Sequence, residues 1–128
     1  MLEEAFVIRR VARYDMAGKR VLKTLEKYYV SDISLISAVL GFRDTKISGM
    51  LENIVYLELI SRDYAVYIGK SGEKEIDFIA EKNGERIYIQ VSRAILSDET
   101  RDREFSPLLA VRDHYPKYVV TIDRKSVV

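Results

Sequence analysis

Along this chain the apolar positions change period several times, and each change marks an element. In "TKISGMLENIVYLELISRD" the apolar residues Ile47, Met50, Leu51, Ile54, Val55, Leu57 and Leu59 recur at helical spacing. They form a broad stripe that predicts the main core helix. Beyond it, "YAVYIG", "KEIDFIAEK" and "ERIYIQVS" are short, rich in β-branched and aromatic residues, and separated by turn signals. They predict three strands, the second and third joined by a hairpin turn at Asn83-Gly84. "SDETRDREFSPLLAVRDHY" predicts a second helix, entered at Ser97 or re-entered at Ser106 with Pro107 in its first turn. "KYVVTID" after Pro116 predicts a fourth strand. From Ser48 the order is therefore helix, three strands, helix, strand.

The first thirty residues follow a different pattern. "LEEAFVIRRVARYD" runs from a helix end into an extended segment, "DMAGK" turns it, and "RVLKTLEKYYV" returns, as in a β-ribbon. "SDISLISAVLG" predicts a short helix capped at Ser31 or Asp32 and stopped at Gly41. The expected organisation is a ribbon over residues 1–32 and an α/β domain over residues 33–128.

Composition narrows the chemistry. The 128 residues include no Cys and one His, His114. Disulfides, thiolate metal sites and a thiol nucleophile are excluded, and a His-built site or Ser-His-Asp triad is disfavoured. No apolar run approaches the ~20 residues of a membrane span, so the expectation is a soluble, cytoplasmic protein with no membrane partner. The net charge of +1 is unevenly spread: residues 1–30 carry seven Lys/Arg against four acids, an excess of +3, which leaves −2 for the rest. Arg9, Arg10, Arg13, Lys19 and Arg20 on the ribbon are thus candidate phosphate contacts. Tyr28-Tyr29 beside Lys27 could meet nucleic acid too, though core packing is the preferred reading.

The α-β-β-β-α-β order is similar to the core of the PD-(D/E)xK, or restriction-endonuclease-like, superfamily. In that pattern an acid lies on the first helix, an Asp on the second strand, and an acid or Gln followed by Lys on the third. The matching positions are Glu52, Asp77, Gln90 and Ser92. "LENIVYLELISRDYAVYIG", "EIDFIAE", "YIQVS", "TRDREFSPLL" and "DHYPKYVVTID" further resemble a C-terminal domain of unknown function that follows the ATPase module in many archaeal and bacterial AAA+ ATPases. By the same comparison the ribbon resembles the wing of an incomplete winged helix. No Walker-type GxxxxGK[ST] is present, so no ATP site is assigned.

The resemblance implies a mixed sheet and a site in which carboxylates hold Mg²⁺ or Mn²⁺ against a phosphodiester while a Lys stabilises developing charge. Asp77 and Gln90 are the candidate metal ligands, expected on one sheet face with Ser92, and Glu52 is a possible further acid. Ser92 stands where the motif has Lys and carries no charge. Arg93, Arg103 and Lys117 could each substitute for it. The preferred expectation is a catalytically degenerate module that binds nucleic acid or regulates. The alternatives are an active divalent-metal-dependent DNA nuclease and a protein-interaction domain. Apolar ribbon residues Phe6, Ile8, Val11 and Leu22, expected to lack a full packing surface, point to self-association as a homodimer.

Overall fold

A computed structural model describes residues 8–22, 26–31, 47–92 and 98–121. Phe6, Arg93 and nearly all of the short helix expected over residues 31–41 lie outside them. The described elements are β1 (Ile8–Val11), β2 (Arg13–Asp15), β3 (Arg20–Val21), β4 (Lys27–Val30), α1 (Ile47–Ser61), β5 (Ala65–Ser71), β6 (Lys74–Lys82), β7 (Glu85–Ser92), α2 (Asp98–Leu109) and β8 (Lys117–Thr121). The protein is mixed α/β. Six strands form one sheet in the order β3-β2-β5-β6-β7-β8, and β1 pairs with β4 as a separate ladder. In the larger sheet β2 runs parallel to β5 and β7 parallel to β8, while the remaining neighbours are antiparallel. Among the described residues no helix is long and apolar enough to cross a membrane.

The β6–β7 hairpin forms where the sequence predicts it, because Asn83 and Gly84 both take positive φ, 53° and 79°. That backbone matches the twist of a two-residue hairpin. The ribbon also forms, turning through residues 16–19, but it bends at Ala12. Its tip, β2 and β3, extends the main sheet, while its base, β1 and β4, packs over α1. Val11, 2% exposed, and Tyr29 are therefore buried with Tyr56, Leu59, Ile68 and Phe78 in one cluster. Ile8 and Leu22 are part-buried. For Val11 the expectation of a missing packing surface is corrected: α1 and the sheet supply it.

A second cluster, Ile76, Ile79, Tyr88 and Leu108, lies under α2 on the other face of the sheet. Strict alternation would place Ile76 and Phe78 together, yet they belong to different clusters. The cause is a bulge: Tyr67 pairs with Ile79 and Gly69 with Ile76, so Asp77 and Phe78 together oppose Ile68. Two consecutive residues then share one face. Asp77 and Phe78 both turn toward α1, and Ile76 and Ile79 toward α2.

Two expectations about the helices change. The buried stripe of α1 runs through Asn53, Tyr56 and Leu59, while Ile54 is 48% exposed. Asn53 is tolerated inside because its side chain satisfies both backbone groups of Val30, accepting from the N–H at 2.9 Å and donating to the carbonyl at 2.8 Å. Pro107 lies in the last turn of α2, not the first. The Arg103 carbonyl, which a proline at 107 leaves without its helical donor, accepts from the Ser106 hydroxyl at 3.2 Å.

Candidate functional site

The four motif positions lie at one end of the sheet, but they do not converge as expected. Glu52 sits on α1 above the sheet face to which Asp77 turns. Gln90 and Ser92 have the parity of Tyr88, and Gln90 pairs with Val119, which packs in the cluster under α2. By alternation both side chains belong to the opposite face from Asp77. The expectation that Asp77, Gln90 and Ser92 share a face is corrected, and the bulge that reorients Asp77 is the reason.

Asp77 and Gln90 nevertheless interact, through the backbone. The β6–β7 ladder runs from Lys82↔Glu85 to Phe78↔Ile89. Beyond it, the two side chains continue the connection: the Asp77 N–H donates to Gln90 Oε1 at 3.0 Å, and the Val91 N–H donates to Asp77 Oδ2 at 2.8 Å. Each strand thus lends a side chain to the other's main chain. Gln90 and Ser92 are 7% and 8% exposed.

On the α1 side, the charge partner of the acids is Lys27. Along β4, Lys27 and Tyr29 point inward while Tyr28 is exposed. Lys27 Nζ lies 2.6 Å from Glu75 Oε1 and 3.6 Å from Glu52 Oε1. The Arg13 guanidinium, from β2, pairs with the other oxygen of Glu75, and the Tyr29 hydroxyl donates to Glu52. Three acids from the helix and sheet, Glu52, Glu75 and Asp77, therefore meet two cations from the ribbon.

Burial alone would lower the Lys27 pKa, but its hydrogen bond to Glu75 and the charges of Glu52, Glu75 and Asp77 raise it above the usual lysine value. Burial would raise Glu75, and Lys27 and Arg13 more than offset it, holding the carboxyl below its usual value. Asp77 goes the other way. Burial raises its pKa to about 6, with Glu52 adding to the rise and the Val91 N–H and Lys27 opposing it. The Tyr29 hydroxyl is raised by burial and by its bond to Glu52.

A hard divalent ion needs several oxygens converging on one point. Here Gln90 Oε1 is turned to the Asp77 N–H, Asp77 Oδ2 to the Val91 N–H, and Glu52 and Glu75 to Lys27, Arg13 and Tyr29. Among the described residues no three His, Asp or Glu side chains are grouped so as to hold a metal ion. In this arrangement the residues do not fit Mg²⁺ or Mn²⁺.

No protein-family model matches the chain, and no solved structure does. An uncharacterized protein of Haemophilus influenzae (strain ATCC 51907 / DSM 11121 / KW20 / Rd) is 40% identical over 121 residues, which is 94% of this chain and 30% of that protein. The chain thus spans under a third of the length of the curated relative it matches.

The ribbon cations do not act as one patch. Arg13 belongs to the acidic cluster, Arg10 Nε lies 3.2 Å from Glu26, and Arg9 is part-buried beside Tyr56 with its Nε away from solvent. Lys19 and Arg20 stay exposed at the turn. Of the three substitutes for the missing Lys, Arg93 lies outside the described residues. Arg103 is exposed on α2, and Lys117 Nζ is held 3.1 Å from Asp113 Oδ1. Sequence reasoning missed Lys27 and Glu75. The available signal was weak: Glu75 stands two positions before Asp77 on one strand, and Lys27 two before a buried tyrosine.

Proposed function

We propose that this chain is a catalytically silent, restriction-endonuclease-like module related to AAA+ ATPase-associated proteins, and that it works by binding nucleic acid. The helix–three strands–helix–strand order supports the lineage. The observation that carries the silent reading is the Lys27 ammonium set between Glu75 and Glu52, a cation supplied by the protein among the acids that a nuclease would offer to metal. The exposed Lys19 and Arg20 support the binding role. A second reading, an active metal-dependent nuclease, gives Lys27 the place of the base absent at Ser92, and it requires Glu52, Glu75 and Asp77 to turn from their present partners to a metal ion.

Calorimetry with Mn²⁺ and a plasmid-nicking assay separate the two. The silent reading expects no Mn²⁺ binding and no nicking by the unmodified protein, with Mn²⁺ uptake appearing in Lys27→Met and disappearing again in Lys27→Met combined with Asp77→Asn. Nicking by the unmodified protein that is lost in Lys27→Met, with metal bound in both, establishes the second reading instead. Nucleic-acid binding is read separately, from duplex and single-stranded DNA titrations at low salt. Absence of binding to either overturns that role.

A further inference from the structure

On the face of the sheet away from the acidic cluster, a cavity of about 510 Å³ opens between the ribbon tip and the segment that follows α2. Its aromatic walls include Tyr14, Tyr88 and Tyr115, and its cations are Lys19, Arg86 and Arg112. The volume is within the range of small-molecule sites.

Its charges are not mutually cancelled. Asp113, an acid in the lining, already accepts from the Tyr88 hydroxyl, the Tyr115 N–H and the Lys117 ammonium. Arg86 is held by Glu81 at 3.3 Å and stacks over Tyr14, its guanidinium carbon 4.8 Å from the ring centroid. It therefore forms the floor. Lys19 and Arg112 stand exposed at the rim with positive charge to offer. Tyr88 is fully buried and Arg86 covers Tyr14, so part-buried Tyr115 is the aromatic surface left for a planar base, with Lys19 and Arg112 as donors for a phosphate.

We propose that this cavity binds a nucleotide, its base against the Tyr115 side of the wall and its phosphate between Lys19 and Arg112. The nucleotide is either a free mononucleotide or an unpaired, phosphorylated end of a nucleic-acid strand. The site is independent of the acidic cluster, and it deepens the nucleic-acid-binding reading, on which its strand form rests.

The test uses the full chain and follows tyrosine fluorescence, undiluted by Trp because the sequence has none. Titrants are AMP, UMP, a 5′-phosphorylated oligothymidylate, its unphosphorylated form, and inorganic phosphate. Binding of the mononucleotides identifies the free nucleotide. Binding of the phosphorylated oligomer alone identifies the strand end. In either case Lys19→Asn, suited to the left-handed backbone at φ 52°, and Arg112→Ala should each weaken binding about tenfold. Tyr115→Ala should weaken it too, and Tyr115→Phe should retain it. Inorganic phosphate binding as tightly as the nucleotides, or no binding by any nucleotide, overturns the proposal. Duplex binding that persists in Lys19→Asn/Arg112→Ala while nucleotide binding is absent leaves the broader nucleic-acid reading standing and removes this site.

Discussion

The Val91 N–H donates to Asp77 Oδ2 across 2.8 Å at the point where the β6–β7 ladder gives way to side-chain bonds. A carboxylate in this position serves as a strand neighbour, and its burial keeps a proton on it to about pH 6.

The pH dependence follows from that value. The folded pKa, about 6, is above the ordinary 3.8. The stabilising contribution is full below pH ~4 and is lost as pH rises through about 6. Above that, the charged group carries a burial cost that the Val91 N–H and Lys27 only partly offset. Asp77→Asn retains an oxygen for the Val91 N–H without the charge, so it should stabilise the protein by about 1–2 kcal/mol at pH 7.5. The advantage should vanish below pH ~4. Urea unfolding at both pH values checks this. A variant less stable than the parent at pH 7.5 shows instead that the Asp77 charge is needed by Lys27.

Ser92→Lys would complete the nuclease pattern that the sequence resembles, and it should create no activity. Ser92 is buried and has the parity of the face under α2, so a lysine there would bury an ammonium on the face away from Glu52 and Asp77. The expected result is a loss of about 2–4 kcal/mol and no gain of Mn²⁺-dependent nicking. Nicking that appears in Ser92→Lys and depends on Asp77 would place the new ammonium on the α1 side and refute the assignment of faces.

Gly69 tests the bulge. Because the extra residue sends both Ile76 and Ile79 under α2, a Cβ at Gly69 would meet Ile76 Cβ at 3.0 Å and Ile79 Cδ1 at 3.1 Å. Gly69→Ala should therefore destabilise by about 1–3 kcal/mol through overpacking. Gly69→Ala combined with Ile79→Val, which removes the Cδ1 methyl, should be less destabilised than the sum of the two single changes. Additivity in a double-mutant cycle would contradict the contact.

Much of this fold is legible in the sequence. The strands over 74–82 and 85–92 were marked by Asn83-Gly84, and α1 by its apolar spacing, because both signals are local. The candidate site was legible only in its members. A bulge inserts one residue into a ladder and leaves no trace in the alternation of "EIDFIAE", so alternation alone puts Asp77 on the same face as Gln90. The burial of Asn53 leaves no mark in the apolar spacing of α1, because it depends on Val30 beside it. Lys27 reads as one charge among seven, since its role depends on a docked ribbon, and docking is set by long-range packing of Val11 and Tyr29.

That long-range packing also sets an order of events in time. The β5–β6–β7 meander closes through short turns and can form early, whereas pairing Arg13 with Ile68 must wait for distant parts of the chain to meet. Until they do, Glu52, Glu75 and Asp77 have neither Lys27 nor Arg13 beside them. Docking of the ribbon thus brings cations onto a negative surface, and that step should be accelerated at low ionic strength.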